Sequence, residues 1–361
     1  MQGQAENKLM NSLLSVFTDR FRRYGRFLLV ALPALSACGP SGEWSDFANH
    51  AAQPLALSSV SDDMIMSGEP IRALQAVDPS VSSSPIVQLG RQLFHDRRLS
   101  ADGSVSCASC HDLSAGGDDD RVASIGIRGQ VGTINAPTVL NSGHSFRQFW
   151  DGRAQTLAQQ AEGPITNPLE MGADWPTVLA TLSSDQALLD LFEESFHTRD
   201  VTPLRVTEAI AAFERTLVTP GPFDRYLNGD VHAISDAAQK GYALFKEYGC
   251  AACHQGVNIG GNLMQYFGAF HSVDMGAIAS AREQELPLYK VPTLRNIEKT
   301  APYFHTGSVM NLDDAVRVMA AAQLGRVTSD QEAALLVAFL ESLSGDVPGH
   351  ATALSQNGFS R

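Results

Sequence analysis

The chain has 361 residues and is 44% hydrophobic, enough to bury a sizeable core and long enough for two domains rather than one, which excludes a disordered or fibrous protein. With Lys+Arg 26 against Asp+Glu 39 it carries a formal charge of −13. That acidity argues against a nucleic-acid partner and favours solubility or docking to a basic protein surface.

Residues 1–37 read as a targeting segment: Arg20, Arg22, Arg23 and Arg26 precede the apolar run FLLVALPALSA, which is too short to span a bilayer comfortably. The run ends in LSAC, the pattern of a bacterial lipoprotein signal in which Cys38 becomes the lipidated first residue. The alternative is an ordinary cleaved signal with an incidental cysteine. Gly39, rather than aspartate, after the cysteine points to the outer membrane. The expectation is a periplasmic protein held to the membrane by a lipid anchor. Cleavage removes five basic residues (Lys8 and the four arginines) and two acidic ones (Glu6 and Asp19), leaving a still more acidic chain. Residues 38–80, rich in Ser and Ala and poor in periodic pattern, read as tether and lead-in.

From residue 81 the pattern turns helical. GRQLF (Gly90 to Phe94) lies on an amphipathic stretch, followed by the insert HDRRLSADGSVS, the motif CASCH (Cys107 to His111), and a long Gly/Asp-rich loop. Irregular segments of that length are usually functional. AFERTL (Ala212 to Leu217) closes this part, and the Pro/Gly-rich VTPGPFDRYLNGD (Val218 to Asp230) reads as a connection. GYALF (Gly241 to Phe245), CAACH (Cys250 to His254) and AFLESL (Ala338 to Leu343) then repeat the plan more compactly.

In C-x-x-C-H two thiols one helical turn apart form thioethers with the vinyl groups on one haem edge, and the adjacent histidine is carried under the iron. A thioredoxin-like redox pair or half of a zinc site competes with that reading for a single copy. Two copies in an exported chain favour covalent haem c: Cys107, Cys110 and His111 for one, Cys250, Cys253 and His254 for the other. With Cys38 these account for all five cysteines, leaving none for a disulfide. The expected fold is mainly α, two tandem class I cytochrome c-like domains at 81–220 and 221–347, with 348–361 as a tail.

An upper iron ligand in such a domain is commonly a methionine before the closing helix, and thioether ligation raises the reduction potential. The second domain offers Met264, Met275, Met310 and Met319. The first offers only Met171 between its motif and its closing helix, with His144 and His197 as further possibilities. The first iron therefore reads as open, beside the carboxylate of Glu170.

Taken together, LSADGSVSCASCH, NAPTVLN, QFWDGRAQTLAQQAEGPITNPLEMG, VPTLRNI and APYFHTGSV resemble the bacterial dihaem cytochrome c peroxidases and their methylamine-utilisation relatives, from about Leu89 to Gly345. The resemblance implies a low-potential peroxidatic haem on His111 and a high-potential haem on His254 and Met319, where electrons come in. It implies that Trp150 lies between the haems and that Glu170 takes a proton from the inner oxygen of hydrogen peroxide and returns it to the leaving one. It also implies a calcium held by the Asn135 side chain and the carbonyls of Thr300 and Pro302. A small c-type cytochrome or cupredoxin would be the donor, and family members are often homodimers.

One position departs from the family. Where peroxidases that need reductive activation carry a histidine after SIG, capping the resting peroxidatic iron, this chain has Ile127. An aliphatic side chain cannot ligate iron, so the expectation is an enzyme ready at rest that reduces hydrogen peroxide to water. Two alternatives remain open: an enzyme that oxidises residues of a partner protein, whose best-known members carry tyrosine above the second iron, and a plain dihaem electron carrier.

Overall fold

The computed structural model describes residues 68–270 and 288–352. The leader, Cys38, the tether up to residue 67, Met275 and the tail beyond residue 352 lie outside the described residues. Among the described residues no helix is long and apolar enough to cross a membrane.

In chain order the longer helices are α1 (Pro85–His95), α2 (Leu157–Thr166), α3 (Trp175–Ser183), α4 (Gln186–Phe196), α5 (Pro203–Glu214), α6 (Pro222–Leu227), α7 (Asp236–Tyr248), α8 (Leu312–Leu324) and α9 (Asp330–Glu341). One antiparallel hairpin pairs β1 (Met264–Tyr266) with β2 (Leu288–Lys290), placing Gln265 opposite Tyr289. The helix ends follow local chemistry. Thr202 and Ser235 cap α5 and α7 by accepting from the third backbone N–H beyond them, and Ser329 with Glu332 forms a reciprocal box at the start of α9. Gly249 ends α7 at a left-handed φ of 87°.

The two sequence repeats are the two helix crossings. α1 packs on α5 and α7 on α9, and each crossing is built on a glycine. A Cβ on Gly90 would stand 1.8 Å from the carbonyl oxygen of Ala209, and one on Gly241 would stand 1.9 Å from that of Leu335. Bare backbone at these points lets the helices approach until Phe94 meets Phe213 and Phe245 meets Phe339, with ring centroids 5.4 and 5.0 Å apart.

A second repeat becomes visible once the chain is folded. APTVLN and VPTLRN, at one constant offset, both end in a left-handed asparagine, Asn141 and Asn296, each at φ 60°. Each asparagine leads through a short turn into a seven-residue loop closed by an isolated bridge, Gln148 to Ala154 and Tyr303 to Val309. Then comes a helix, α2 in the first half and α8 in the second. The first half adds α3 and α4 before its closing helix, whereas α8 runs almost directly into α9.

Three structural facts refine the boundaries expected from sequence. The connection Val218 to Asp230 contains α6, whose buried Asp224 accepts from both terminal nitrogens of the fully buried Arg295 at 2.9 Å and from the backbone of Leu74 and Gly221 at 2.7 Å. Part of the lead-in belongs to the second half: Gly256 N donates to Pro70 O at 2.8 Å, and Ile71 joins the core around Phe223, Tyr242 and Phe339. The start of the tail returns to the first half, where Ala351 is buried and Arg91 donates to His350 O at 2.9 Å. At the junction Thr219 is gripped from both halves, its hydroxyl accepting from Asn141 at 2.8 Å and Asn296 at 2.7 Å.

Candidate active site

Each C-x-x-C-H forms a tight turn that leaves its two cysteines unpaired. Cys107–Cys110 is one helical turn, started by Ser106, whose N–H donates to the Ser109 hydroxyl at 2.9 Å. Cys250–Ala252 is a 3-10 turn that follows Gly249 directly. The Nδ1 atoms of His111 and His254 lie 3.1 Å from Gly117 O and 3.3 Å from Ile259 O. A carbonyl can only accept, so Nδ1 carries the proton and the lone pair stays on Nε2, the tautomer that a metal needs. Burial lowers the pKa of both imidazoles, that of His254 to about 4, which keeps them neutral. Burial also pushes the Cys250 thiol up to about 11 and Cys107 higher still. Two free thiols beside one oriented imidazole, in each half, fit covalent haem c.

In the first half the chain after α2 folds back on itself. Met171 N donates to Pro164 O at 3.1 Å, Gly172 N to Asn167 O at 2.8 Å and Ala173 N to Ile165 O at 2.8 Å. This reversal holds Glu170 half-buried, with the Asn167 amide donating to its Oε1 at 2.6 Å. Burial raises the Glu170 pKa against the opposing pull of Asn167 and the Arg153 charge. Its carboxylate is felt by both Cys107 and Cys110, so it stands near the attachment edge of the first haem site. Ile127, 4% exposed, is pinned beside it: its N–H donates to Glu170 O at 2.8 Å. Gly126 permits this approach, since a Cβ there would lie 2.5 Å from Glu170 O. The insert after α1 braces the same spot, with Ala101 N donating to Met171 O at 2.9 Å and Asp102 accepting from Arg128 N at 3.3 Å.

The upper-ligand candidates named from sequence for the first half lie in three different settings. Met171 is 4% exposed and is filler in the first apolar core. His197 ends α4 at a left-handed φ of 56°, and His144 sits in the turn after Asn141. In the second half Met319 is half-buried on α8, while Met310 is 60% exposed. The repeat is informative here: Met319 and Pro164 are each the eighth residue of their helix, so proline stands in the first half where the second has a thioether.

Trp150 and His305 occupy equivalent positions in the two seven-residue loops and face each other, edge to face, with centroids 6.2 Å apart. The indole N–H of Trp150 donates to Asn135 O at 2.9 Å, and Lys290 N donates to Trp150 O at 2.7 Å. The Asn135 amide nitrogen reaches Pro302 O at 2.6 Å and Phe304 O at 3.1 Å, and its Oδ1 is buried without a partner. Thr300 stands two residues before Pro302 on the same turn, preceding the cis Ala301–Pro302 bond. A buried, unpartnered amide oxygen is a group that a hard cation such as calcium can take, while the Pro302 and Phe304 carbonyls face the amide nitrogen.

Besides Asp224, two buried acids with unpartnered oxygens escaped the sequence reading. Glu214 on α5 is 4% exposed, has an unpartnered Oε2, and is pushed up to about 8 by burial; it too is felt by Cys107. Asp118 has both oxygens buried and unpartnered and is pushed up to about 7, by burial and then by Asp120 and Asp119. Only the run of aspartates and the FE pair in AFERTL could have drawn attention to them, and neither spacing distinguishes a buried acid from a solvated one.

Comparison with known proteins agrees with this arrangement. The family described as "Di-haem cytochrome c peroxidase" matches residues 84–232, and that described as "Cytochrome c" matches residues 238–344. The cytochrome c551 peroxidase of Nitrosomonas europaea is 44% identical over 292 residues, covering 79% of this chain and 87% of that protein. The cytochrome c551 peroxidase of Pseudomonas aeruginosa is 41% identical, covering 72% and 79%. The methylamine utilization protein MauG of Methylophilus methylotrophus is 33% identical, covering 74% and 86%. Among solved structures, a MauG-like protein associated with microbial copper homeostasis superposes with a TM-score of 0.66 at 26% identity, over 78% of this chain and 95% of that one.

Proposed function

Given that the chain belongs to the dihaem cytochrome c peroxidase family, we propose that it reduces hydrogen peroxide to two waters with electrons from a small c-type cytochrome or cupredoxin, and that its first haem is open at rest. The observation that carries the second part is Ile127, buried and pinned to the Glu170 backbone where an activatable relative would hold a removable ligand.

The haems, when bound, supply the electron transfer and the peroxide-binding iron. The protein does the rest. Glu170, half-buried and with its pKa raised, accepts the proton of the inner peroxide oxygen and delivers it to the outer one, so that the latter leaves as water. Asn167 fixes the carboxylate's orientation through Oε1, which leaves Oε2 for the proton. His111 and His254, with Nδ1 tied to backbone carbonyls, would hold the irons through Nε2. Met319 would supply a thioether to the iron of the second haem, which would favour its reduced form. Trp150 couples the two sites. Asn135, with the carbonyls of Thr300 and Pro302, would hold a calcium, and Asn135 itself positions the indole, since its backbone oxygen receives the Trp150 N–H. The lipid anchor on Cys38 and the periplasmic location belong to the same reading.

The deciding experiment is an optical and EPR spectrum of the oxidised protein, followed by peroxide with and without prior addition of one electron. A high-spin first haem and immediate turnover are expected. Two low-spin haems, or turnover only after pre-reduction, would sink the proposal. Oxidation of a partner protein is the second reading, favoured by the uncapped first site that MauG-type relatives share and opposed by Met319.

A further inference from the structure

The pairing of Trp150 with His305 does not end at the histidine. The ring of Tyr289, on β2, stacks on His305 with centroids 4.4 Å apart and planes 29° apart, and its hydroxyl lies 3.0 Å from His305 Nε2. Three aromatic rings in contact thus run from Trp150 to a tyrosine that is only partly buried, next to the exposed Leu288. Neither the C-x-x-C-H motifs nor the proton-transfer chemistry of Glu170 uses Tyr289.

We propose that Tyr289 is a redox-active residue, a one-electron reserve that the His305–Trp150 pair connects to the haems. The inference rests on the peroxidase reading above, because hydrogen peroxide is the oxidant. Reduction of peroxide to two waters takes two electrons and two protons. When the donor has supplied neither in time, the haem sites must furnish both electrons, and one of the resulting oxidising equivalents can move outward. In that step one electron leaves the Tyr289 ring through His305 and Trp150 towards the oxidised first site, and the phenolic proton passes to His305 Nε2. The product is a neutral tyrosyl radical beside an imidazolium. An electron from the donor later restores the phenol, and the proton returns from Nε2. The geometry requires that Nδ1 of His305 carry the resting proton, so that Nε2 can accept. A tyrosine hydrogen-bonded to a base is easier to oxidise than a free one, because the radical cation never has to form. That is what separates Tyr289 from a merely packed aromatic such as Phe267, which meets the same histidine at 6.5 Å.

The test uses the full diferric protein, with peroxide added at equal concentration and no donor, frozen at intervals for EPR. A narrow organic radical with tyrosyl splitting is expected, narrowed further by ring-deuterated tyrosine and at least tenfold weaker in Tyr289→Phe, with both haems still attached. His305→Gln, which keeps a side chain but removes the base, should lower the radical yield as well. The proposal is overturned if peroxide is consumed and no tyrosyl signal forms, or if the signal survives in Tyr289→Phe; the peroxidase reading would then still stand. Failure of the donor-supplied protein to reduce peroxide at all would instead remove that reading, and this inference with it.

Discussion

The backbone N–H of Ile127 donates to the carbonyl oxygen of Glu170 at 2.8 Å. One hydrogen bond therefore joins the position where activatable relatives keep their removable ligand to the residue proposed to move the peroxide proton. The loop is also clamped by the close approach of Gly126 to the same backbone and by Asp102 accepting from Arg128 N. A loop held this way fits the proposal of a first site that is open at rest.

Restoring the family's histidine tests that view. Ile127→His is expected to convert the resting first haem from high-spin to low-spin and to introduce a lag in peroxide reduction that pre-reduction abolishes. EPR and stopped-flow turnover read both. An unchanged spin state would mean that the clamp holds the new side chain away from the iron.

Glu170→Gln should leave both haems attached and reduce peroxide turnover about 100-fold or more, the usual scale for loss of a positioned acid–base group. Burial raises the pKa of this carboxyl, and only its ionised form can take the peroxide proton, so the wild-type rate should climb as pH rises through that raised value. The glutamine variant should lack this limb. A pH–rate profile that keeps it in Glu170→Gln would assign the titration to another group.

Replacing the Met319 thioether by imidazole should lower the potential of the second haem by on the order of 100 mV, leaving the first unchanged. Spectroelectrochemical titration of Met319→His measures this. If the potential does not move, another side chain lies above that iron.

The Asp224–Arg295 pair is fully buried, and Asp224 also receives two backbone N–H groups. Arg295→Met strands a buried carboxylate and should cost about 3–5 kcal/mol in unfolding free energy. The double variant Asp224→Leu with Arg295→Met should recover part of that loss. Denaturant titration of the haem-loaded chain distinguishes the two; equal losses would show that the backbone contacts of Asp224 dominate.

Gly241→Ala places a methyl group against the Leu335 carbonyl at a helix crossing that cannot open without parting Phe245 from Phe339. Destabilisation of about 1–3 kcal/mol or more is expected. The same change at the exposed Gly103, where a Cβ would meet nothing, should cost less, and any cost there comes from its φ of 70°. Thermal unfolding followed at the haem absorbance compares them.

Much of the site was legible because its chemistry is local. Two thiols and an imidazole within five residues define a haem-attachment turn wherever they lie, and G-x-x-L-F with A-F-x-x-x-L marks helical faces by spacing alone. Ile127 could likewise be read as unable to ligate iron from its side chain only. What required the folded chain was every pairing between residues distant in sequence. Asp224 lies in a Pro/Gly-rich stretch that reads as linker and becomes buried only because Arg295, 71 positions on, needs a counter-ion. The lead-in and tail show no periodicity that would mark them as packed, yet Ile71 of the lead-in and Ala351 of the tail each join the core of the half to which they are not adjacent in sequence. The facing of Trp150 and His305, and the stacking of Tyr289 behind them, comes from superposing two loops whose sequences share little beyond a phenylalanine and a glycine. Composition and spacing determine what a segment can do by itself. Burial, charge pairing and aromatic contact across the chain depend on which surfaces meet, and the tertiary structure decided that.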